Sequence, residues 1–273
     1  MSIKAPSIVL FGGGKMGGAM LEGWLKAGTP ATSIGVFDLY PSPWLTERAQ
    51  TAGFGLNPVI DPATTPDVLV LAIKPQMLDS AADQLATLAG PTTLVISVIA
   101  GKTIANLRAR MPRAEAFVRA MPNTPAAVGR GITGIACSPE VSRRDAEKAD
   151  ALLSAIGQLV HLDREEQIDA VTALSGSGPA YVFHMVECMA KAGEAIGLPS
   201  DVAARLARAT IEGAGELLFQ DAATGPDQLR INVTSPGGTT AAALAVLMAP
   251  DGLQPLMTRA ITAAKHRAGE LSG

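Results

Sequence analysis

Aromatic side chains are scarce, at 4% of the 273 residues, and positive charge is not in excess, with a formal net charge of −3. The first shortage leaves an apolar fraction of 48% built largely from Ala, Val and Leu, which suits close packing of helices on helices and on a sheet. The second argues against a nucleic-acid binder that relies on a basic surface. Cysteine is nearly missing. Cys137 and Cys188 stand far apart without metal-ligand spacing, so neither a disulfide framework nor a metal site is expected. With no signal-peptide pattern, this points to a reducing cytoplasm. The N-terminal apolar run is too short to span a membrane and leads into glycines. Repeats and low-complexity tracts are also missing, and with only 17% charged residues disorder is not expected. The length allows one large domain or two ordinary ones.

In the first half, short apolar runs alternate with helical stretches. The runs Ser7–Phe11, Ile34–Asp38, Val68–Ile73, Thr93–Val98 and Ala116–Ala120 read as buried strands, with Ile132–Cys137 and Leu159–Leu162 extending the set around a helix over Arg143–Ile156. Near-continuous apolar strands separated by helices indicate a parallel sheet covered on both faces, an α/β fold of the Rossmann type. Gly12, Gly14 and Gly17 fit G-x-G-x-x-G between the first strand and a helix over Gly18–Ala27. Gly12 permits the tight turn, Gly14 lets a pyrophosphate approach the backbone, and Gly17 lets helix and strand pack closely. Asp38 follows about 20 residues on, where an acid hydrogen-bonds a ribose 2′-OH. No base directly follows it, and a 2′-phosphate sits badly beside a carboxylate, so NADH is favoured over NADPH. Lys74, Ala100 and Asn123 lie just beyond strand ends, where such sheets bind ligands.

From about Glu165 the pattern becomes helix after helix, over Glu165–Thr172, Pro179–Ile196, Val202–Phe219, Pro226–Asn232, Thr240–Met248 and Leu253–Leu271. Asp201 is a candidate cap for one of them. Small-residue faces suit packing on another chain, so this half is expected to dimerise. The boundary is placed at 163, giving a dinucleotide-binding domain over 1–163 and an all-α substrate-binding and dimerisation domain over 164–273. Within the second lies Asn232–Leu247, NVTSPGGTTAAALAVL. Pro236 with Gly237 and Gly238 makes a tight loop, Thr239 or Thr240 is positioned to cap the helix that follows, and the run Ala241–Met248, apolar on every side, should be buried. A helix start with bare amides and hydroxyls suits a carboxylate or a phosphate.

Four local patterns, GGGKMG at 12–17, IKPQ at 73–76, DAVTALSGSGPAYVF at 169–183 and NVTSPGGTTAAALAVL at 232–247, together resemble pyrroline-5-carboxylate reductase, in order and over nearly the whole chain. RAMPNTP at 119–125 is similar to the family's stretch near the nicotinamide. The resemblance implies hydride transfer from NADPH or NADH to the C=N carbon of 1-pyrroline-5-carboxylate, giving L-proline. It implies a homodimer or an assembly of dimers whose site uses both chains, and no nucleic acid or membrane partner. It implies cofactor contacts at Gly12, Gly14, Met16, Gly17, Ala72, Ile73, Lys74, Pro75, Val98, Ile99, Ala100 and Asn232, with Asn123 in the nicotinamide stretch. Substrate contacts are implied at Glu165, Gly237, Gly238, Thr239 and Thr240, with Ser235 nearby. Lys15 stands where the family has Asn or Gln, and its cation either strengthens pyrophosphate binding or points to solvent. Asp38 departs from the family's non-acidic stretch and puts NADPH use in doubt. No metal is implied. Thr172, beside the SGSG turn, is the candidate catalytic residue. Its hydroxyl is too weak an acid to be the sole proton source, so its role is to orient the ring nitrogen.

Two rivals fit less well. The β-hydroxyacid dehydrogenases share the glycine motif but need a lysine four residues after the second glycine of Gly176-Ser177-Gly178, where this chain has Val182. Valine cannot deprotonate an alcohol. A dinucleotide-binding regulator without turnover would have no need of SPGGTT.

Overall fold

In a computed structural model describing residues 7–61 and 63–272, the chain divides into two compact units. One comprises the chain up to Gly176 together with the stretch from Lys265 onward, and the other is Ser177–Ala264. The boundary expected at 163 falls just past the last strand of the sheet, and the segment from 164 to 176 packs with the sheet unit.

The first unit is an eight-stranded sheet. Its strands are β1 (Ile8–Phe11), β2 (Ile34–Phe37), β3 (Gly55–Leu56), β4 (Val68–Leu71), β5 (Leu94–Ser97), β6 (Phe117–Met121), β7 (Gly131–Cys137) and β8 (Gly157–His161), in the order β3-β2-β1-β4-β5-β6-β7-β8. The helices are α1 (Lys15–Lys26), α2 (Pro43–Ala52), α3 (Ala82–Leu88), α4 (Ile104–Arg110), α5 (Arg143–Ser154) and α6 (Gln167–Val171). From β3 to β6 every pairing is parallel, which gives the doubly wound order in which ligands bind beyond the carboxyl ends of the strands. Alternation sorts the core. Leu10, Val36, Val70 and Ile96 face one side against Met20, Leu21 and Trp24, while Val9, Phe11, Leu69 and Val95 face the other against Leu85 and Leu107. The buried Trp24 indole donates to the Leu152 carbonyl at 2.8 Å and joins α1 to α5.

Two expectations change here, and two elements went unread. β7 runs antiparallel to β6, because the chain from Met121 to Gly131 holds one short turn over Thr124–Val128 and is too brief for the crossover that a parallel neighbour needs. α1 begins at Lys15, inside the glycine motif. α2 and β3 occupy a stretch whose polar, weakly periodic sequence hides them. Ser42 caps α2, accepting from Leu45 N, with Pro43 in the first turn.

The second unit is helical, with α7 (Gly178–Ala195), α8 (Ser200–Gln220), α9 (Pro226–Asn232), α10 (Thr239–Leu247) and the first part of α11 (Leu253–Ser272). α7 and α8 form a hairpin that closes where Gly193 meets Ala203, and the left-handed Gly197 (φ 105°) makes the turn. Asp201 lies in the first turn of α8 and does not cap it; the cap position is Pro199. Likewise Gly238 occupies the cap of α10, and Thr239 and Thr240 are its first two residues, not caps. The burial expected for Ala241–Met248 is not found within this chain. α7, α9 and α10 have no buried residue, and Phe183, Leu217 and Val246 are 64%, 62% and 71% exposed. Among the described residues nothing covers these faces, the pattern of a surface that packs on a partner.

Candidate active site

Beyond the ends of β1, β2 and β4 the sheet opens into a cavity of about 320 Å³ lined by Gly12, Gly14, Asp38, Tyr40, Asn57, Ala72, Ile73 and Lys74, among others. A second cavity of about 530 Å³ shares Gly14 and Asp38 and adds Lys15 and Trp44. The glycine motif builds the shared wall. Gly12 is left-handed (φ 106°), its amide donates to the Phe37 carbonyl at 2.7 Å, and a Cβ on it would lie 2.7 Å from the Ala72 carbonyl oxygen. A Cβ on Gly17 would overlap the Gly12 carbonyl oxygen, so α1 and the turn pack backbone to backbone. Gly14 is different: nothing lies within 4 Å of where its Cβ would be. That open approach, on a helix start that no side chain caps, fits the pyrophosphate of a dinucleotide. The bound dinucleotide would supply the hydride.

Asp38 is held firmly. Its Oδ2 accepts from the Gly13 amide at 2.8 Å and its Oδ1 from the Tyr40 amide at 2.9 Å, which leaves each oxygen a lone pair for a ribose hydroxyl. Its main chain is clamped by Asn57, whose Oδ1 accepts from Asp38 N and whose Nδ2 donates to Asp38 O, both at 2.9 Å. Among the described residues Asn57 is the one non-glycine in the left-handed region (φ 47°). Sequence reading passed over it, although an asparagine just after a short strand is a usual occupant of that conformation.

Of the other expected contacts, Met16 and Gly17 lie in the first turn of α1, Pro75 opens a short turn after Lys74, and Val98, Ile99 and Ala100 follow β5. Asn123 is buried and its amide braces the fold, donating to the Ser175 carbonyl at 3.1 Å and accepting from Ile132 N at 3.0 Å. Thr172 sits in a π-helical turn over Thr172–Gly176, a local irregularity frequent at functional sites. Its hydroxyl donates to the Ile168 carbonyl at 2.8 Å, so what it offers outward is lone pairs. That suits a protonated imine as donor and does not suit a neutral one. Glu165 Oε1 already accepts from Arg119 at 3.1 Å and from the Ile104 amide at 2.7 Å. Arg119, buried in β6, is a residue that sequence reading missed; a charge amid an apolar strand was the available signal.

The second unit gathers a separate group. Ser235 accepts from the Gly238 amide at 3.0 Å through its carbonyl, Gly237 is left-handed (φ 70°), and Gly238 caps α10 without any side-chain bond. Thr239 and Thr240 follow as the opening residues of a nine-residue helix, and the first amides of a helix have no partner within it. Asn232 ends α9, and its Oδ1 accepts from Gln228 at 2.8 Å.

Among the described residues no helix is long and apolar enough to cross a membrane, and no group of His, Cys, Asp and Glu could hold a metal ion. Residues 7–101 match the family model described as NADP oxidoreductase, coenzyme F420-dependent, and residues 165–271 match the model described as pyrroline-5-carboxylate reductase dimerisation. Fold and site thus define a nicotinamide-dependent oxidoreductase with a dimerising helical part. The chain is 38% identical over 274 residues to pyrroline-5-carboxylate reductase of Pseudomonas aeruginosa, covering 99% of this chain and 98% of that one. Identity to the enzyme of Synechocystis is 44% over 211 residues, 77% and 76% of the two chains. A solved pyrroline-5-carboxylate reductase from Coxiella burnetii superposes with a TM-score of 0.88 at 34% identity, over 99% and 100% of the two chains. The chain belongs to the pyrroline-5-carboxylate reductase family. Its reaction is the reduction of 1-pyrroline-5-carboxylate to L-proline, the last step of proline synthesis.

Proposed function

We propose that this reductase favours NADH, holds the substrate carboxylate at the start of α10, and works in the cytoplasm as a dimer or an assembly of dimers. The observation that carries the coenzyme reading is the Asp38 carboxylate, fixed by two backbone amides in the wall of the cavity beyond β2. It suits a ribose diol and repels a 2′-phosphate. Arg48 does not offset it, since its Nε and Nη2 both donate to the Glu22 carboxylate, and that hydrogen bond raises the guanidinium pKa above its ordinary value. Steady-state rates with NADH and NADPH on 1-pyrroline-5-carboxylate test the reading directly. Asp38→Ser should raise the NADPH:NADH ratio of kcat/KM by about tenfold or more, as expected when a like charge is removed from beside a phosphate. An unchanged ratio would make Asp38 a structural residue.

In this reading Gly12, Gly14, Lys15, Met16, Gly17, Ala72, Ile73, Lys74, Pro75 and the loop Val98–Ala100 hold the dinucleotide, with Asn123 and Asn232 supporting it. The amides of Gly238, Thr239 and Thr240 and the Thr240 hydroxyl bind the carboxylate, the helix start adding its partial positive charge, with Ser235 and Gly237 shaping the loop. Thr172 orients the protonated ring nitrogen. Holding C5 against the hydride donor supplies much of the rate by proximity. A hydrogen bond to a charged group contributes about 1.5–3 kcal/mol. Thr240→Ala should therefore raise KM for the imino acid by roughly ten- to a hundredfold while NADH affinity stays as in the parent. A KM equal to that of the parent removes Thr240 from the site.

A further inference from the structure

A guanidinium inside an apolar strand is tolerated only when it is paired, and Arg119 of β6 is paired on both sides. Its side chain is 4% exposed and lies between two carboxylates, Glu165 at 3.1 Å and Asp169 at 3.6 Å. Ser272, at the end of α11, donates to Asp169 at 3.0 Å and steadies that side. Two acids share one base, so the group keeps one negative charge unbalanced. The bonding of Glu165 is uneven. Oε1 accepts from Arg119 Nη1 at 3.1 Å and, at 2.7 Å, from the amide of Ile104, the first residue of α4. Among the described residues Oε2 accepts no hydrogen bond, and the Glu165 side chain is 26% exposed. With both donors on one oxygen, the carboxylate cannot turn away without breaking two charge-assisted bonds. What remains open is a single immobilised oxygen with free lone pairs.

We propose that Arg119 is a positioning residue for the reduction: by holding Oε1 of Glu165 it presents Oε2 to the protonated ring nitrogen of 1-pyrroline-5-carboxylate. This rests on Glu165 being a contact of the imino acid, as the family resemblance implies. The protonated imine carries one N–H and a positive charge, and the negative charge left unbalanced around Arg119 suits it. Hydride adds to C5, the C=N π pair moves to nitrogen as a lone pair, and the N–H stays. The unprotonated imine would have to place an anion on nitrogen, so a fixed negative charge beside that atom favours the reactive form of the substrate. Asp169 and Ser272 serve the same end from the far side of the guanidinium.

Two substitutions in the full-length protein, alone and combined, decide. Glu165→Gln keeps an oxygen for Arg119 and Ile104 and puts an amide NH2, a donor, in the place of Oε2. It should lower kcat/KM for 1-pyrroline-5-carboxylate by about a hundredfold. Arg119→Lys keeps the charge but loses the planar fork that reaches both acids, and should lower the same constant by about tenfold. Both should leave NADH affinity, read by fluorescence titration, within about twofold of the parent. A residue that acts through Glu165 has nothing to act on once Glu165 is glutamine. The double variant should therefore stay within about twofold of Glu165→Gln, whereas a merely structural defect would multiply the two losses. Multiplied losses overturn the proposal, as does parental kcat/KM in Arg119→Lys, or an Arg119→Lys protein that loses NADH affinity instead. Parental kcat/KM in Glu165→Gln removes Glu165 from the imino acid and the proposal with it. A slow Glu165→Gln beside a parental Arg119→Lys rejects the role of Arg119 alone. Should Arg119→Lys not fold, Asp169→Ala takes its place in the cycle. It frees the far side of the guanidinium and should cost about threefold or more in kcat/KM, a loss that again disappears in the Glu165→Gln background. Multiplied losses or parental kcat/KM in that cycle overturn the proposal equally.

Discussion

Gly17→Ala is expected to leave little folded protein, while Gly14→Ala folds normally and loses its coenzyme. Both residues sit where α1 begins, and helix propensity favours alanine over glycine by about 1 kcal/mol inside a helix. Propensity alone therefore makes Gly17→Ala stabilising. Packing reverses the sign. A Cβ at Gly17 would occupy the space of the Gly12 carbonyl oxygen and lie 3.1 Å from its carbon and 3.3 Å from the Ala72 Cβ. The obstruction is backbone, pinned by the Gly12 amide bond to Phe37 and by the register of β1 with β4, so it cannot rotate away. Overpacking against rigid neighbours costs about 3 kcal/mol or more, a large part of the roughly 5–15 kcal/mol that holds a domain together. At Gly14 the same methyl meets no atom within 4 Å, and the backbone (φ −69°, ψ −162°) is open to alanine. The fold should not register it, but the methyl stands where the pyrophosphate must approach. Thermal melts and NADH titrations should show Gly17→Ala melting far below the parent. Gly14→Ala should melt with the parent yet bind NADH about tenfold more weakly or worse. Parental affinity in Gly14→Ala would send the pyrophosphate elsewhere.

The contrast marks what can be read from residues in order. The central strands of the sheet announce themselves because they are buried on both faces and so are apolar at consecutive positions, as in Ile8–Phe11 and Val68–Leu71. The glycine motif is legible because each glycine answers a separate steric demand. Direction is not written in a strand: the antiparallel run of β7 follows from a short connection, and Gly131–Cys137 looks the same either way. Asp38 could be assigned to a ribose from its spacing, but its support by Asn57 depends on the 19-residue return of the chain through α2 and β3. Glu165 came in through family resemblance as a substrate contact. Its bonds to Arg119 and Ile104 join residues 46 and 61 positions away, which no local pattern reports. The start of α10 was readable from its Pro-Gly-Gly, whereas the cap fell on Gly238, one residue before the threonines.

Val246→Asp should break the assembly. In the isolated chain Val246 is 71% exposed, and a substitution at such a site ordinarily changes stability by about 0.5 kcal/mol or less. Yet α10 carries no polar side chain after Thr240, and Leu247 and Met248 beside Val246 are exposed too. A helix apolar all round is stable in water only when covered on all sides. Covered by a second chain, Val246 is buried, and an aspartate there is an unpaired charge moved out of water, at a cost of several kcal/mol. Each 1.4 kcal/mol is a factor of ten in association, so the dimer should weaken by more than about a hundredfold. Light scattering at micromolar concentration should give a dimer or larger species for the parent and for Val246→Ile, and the single-chain mass for Val246→Asp. If the monomeric form also loses turnover with 1-pyrroline-5-carboxylate while still binding NADH through its sheet unit, the second chain is needed for the substrate and not for the coenzyme. A Val246→Asp protein of parental mass would mean that α10 is covered by something other than a second copy.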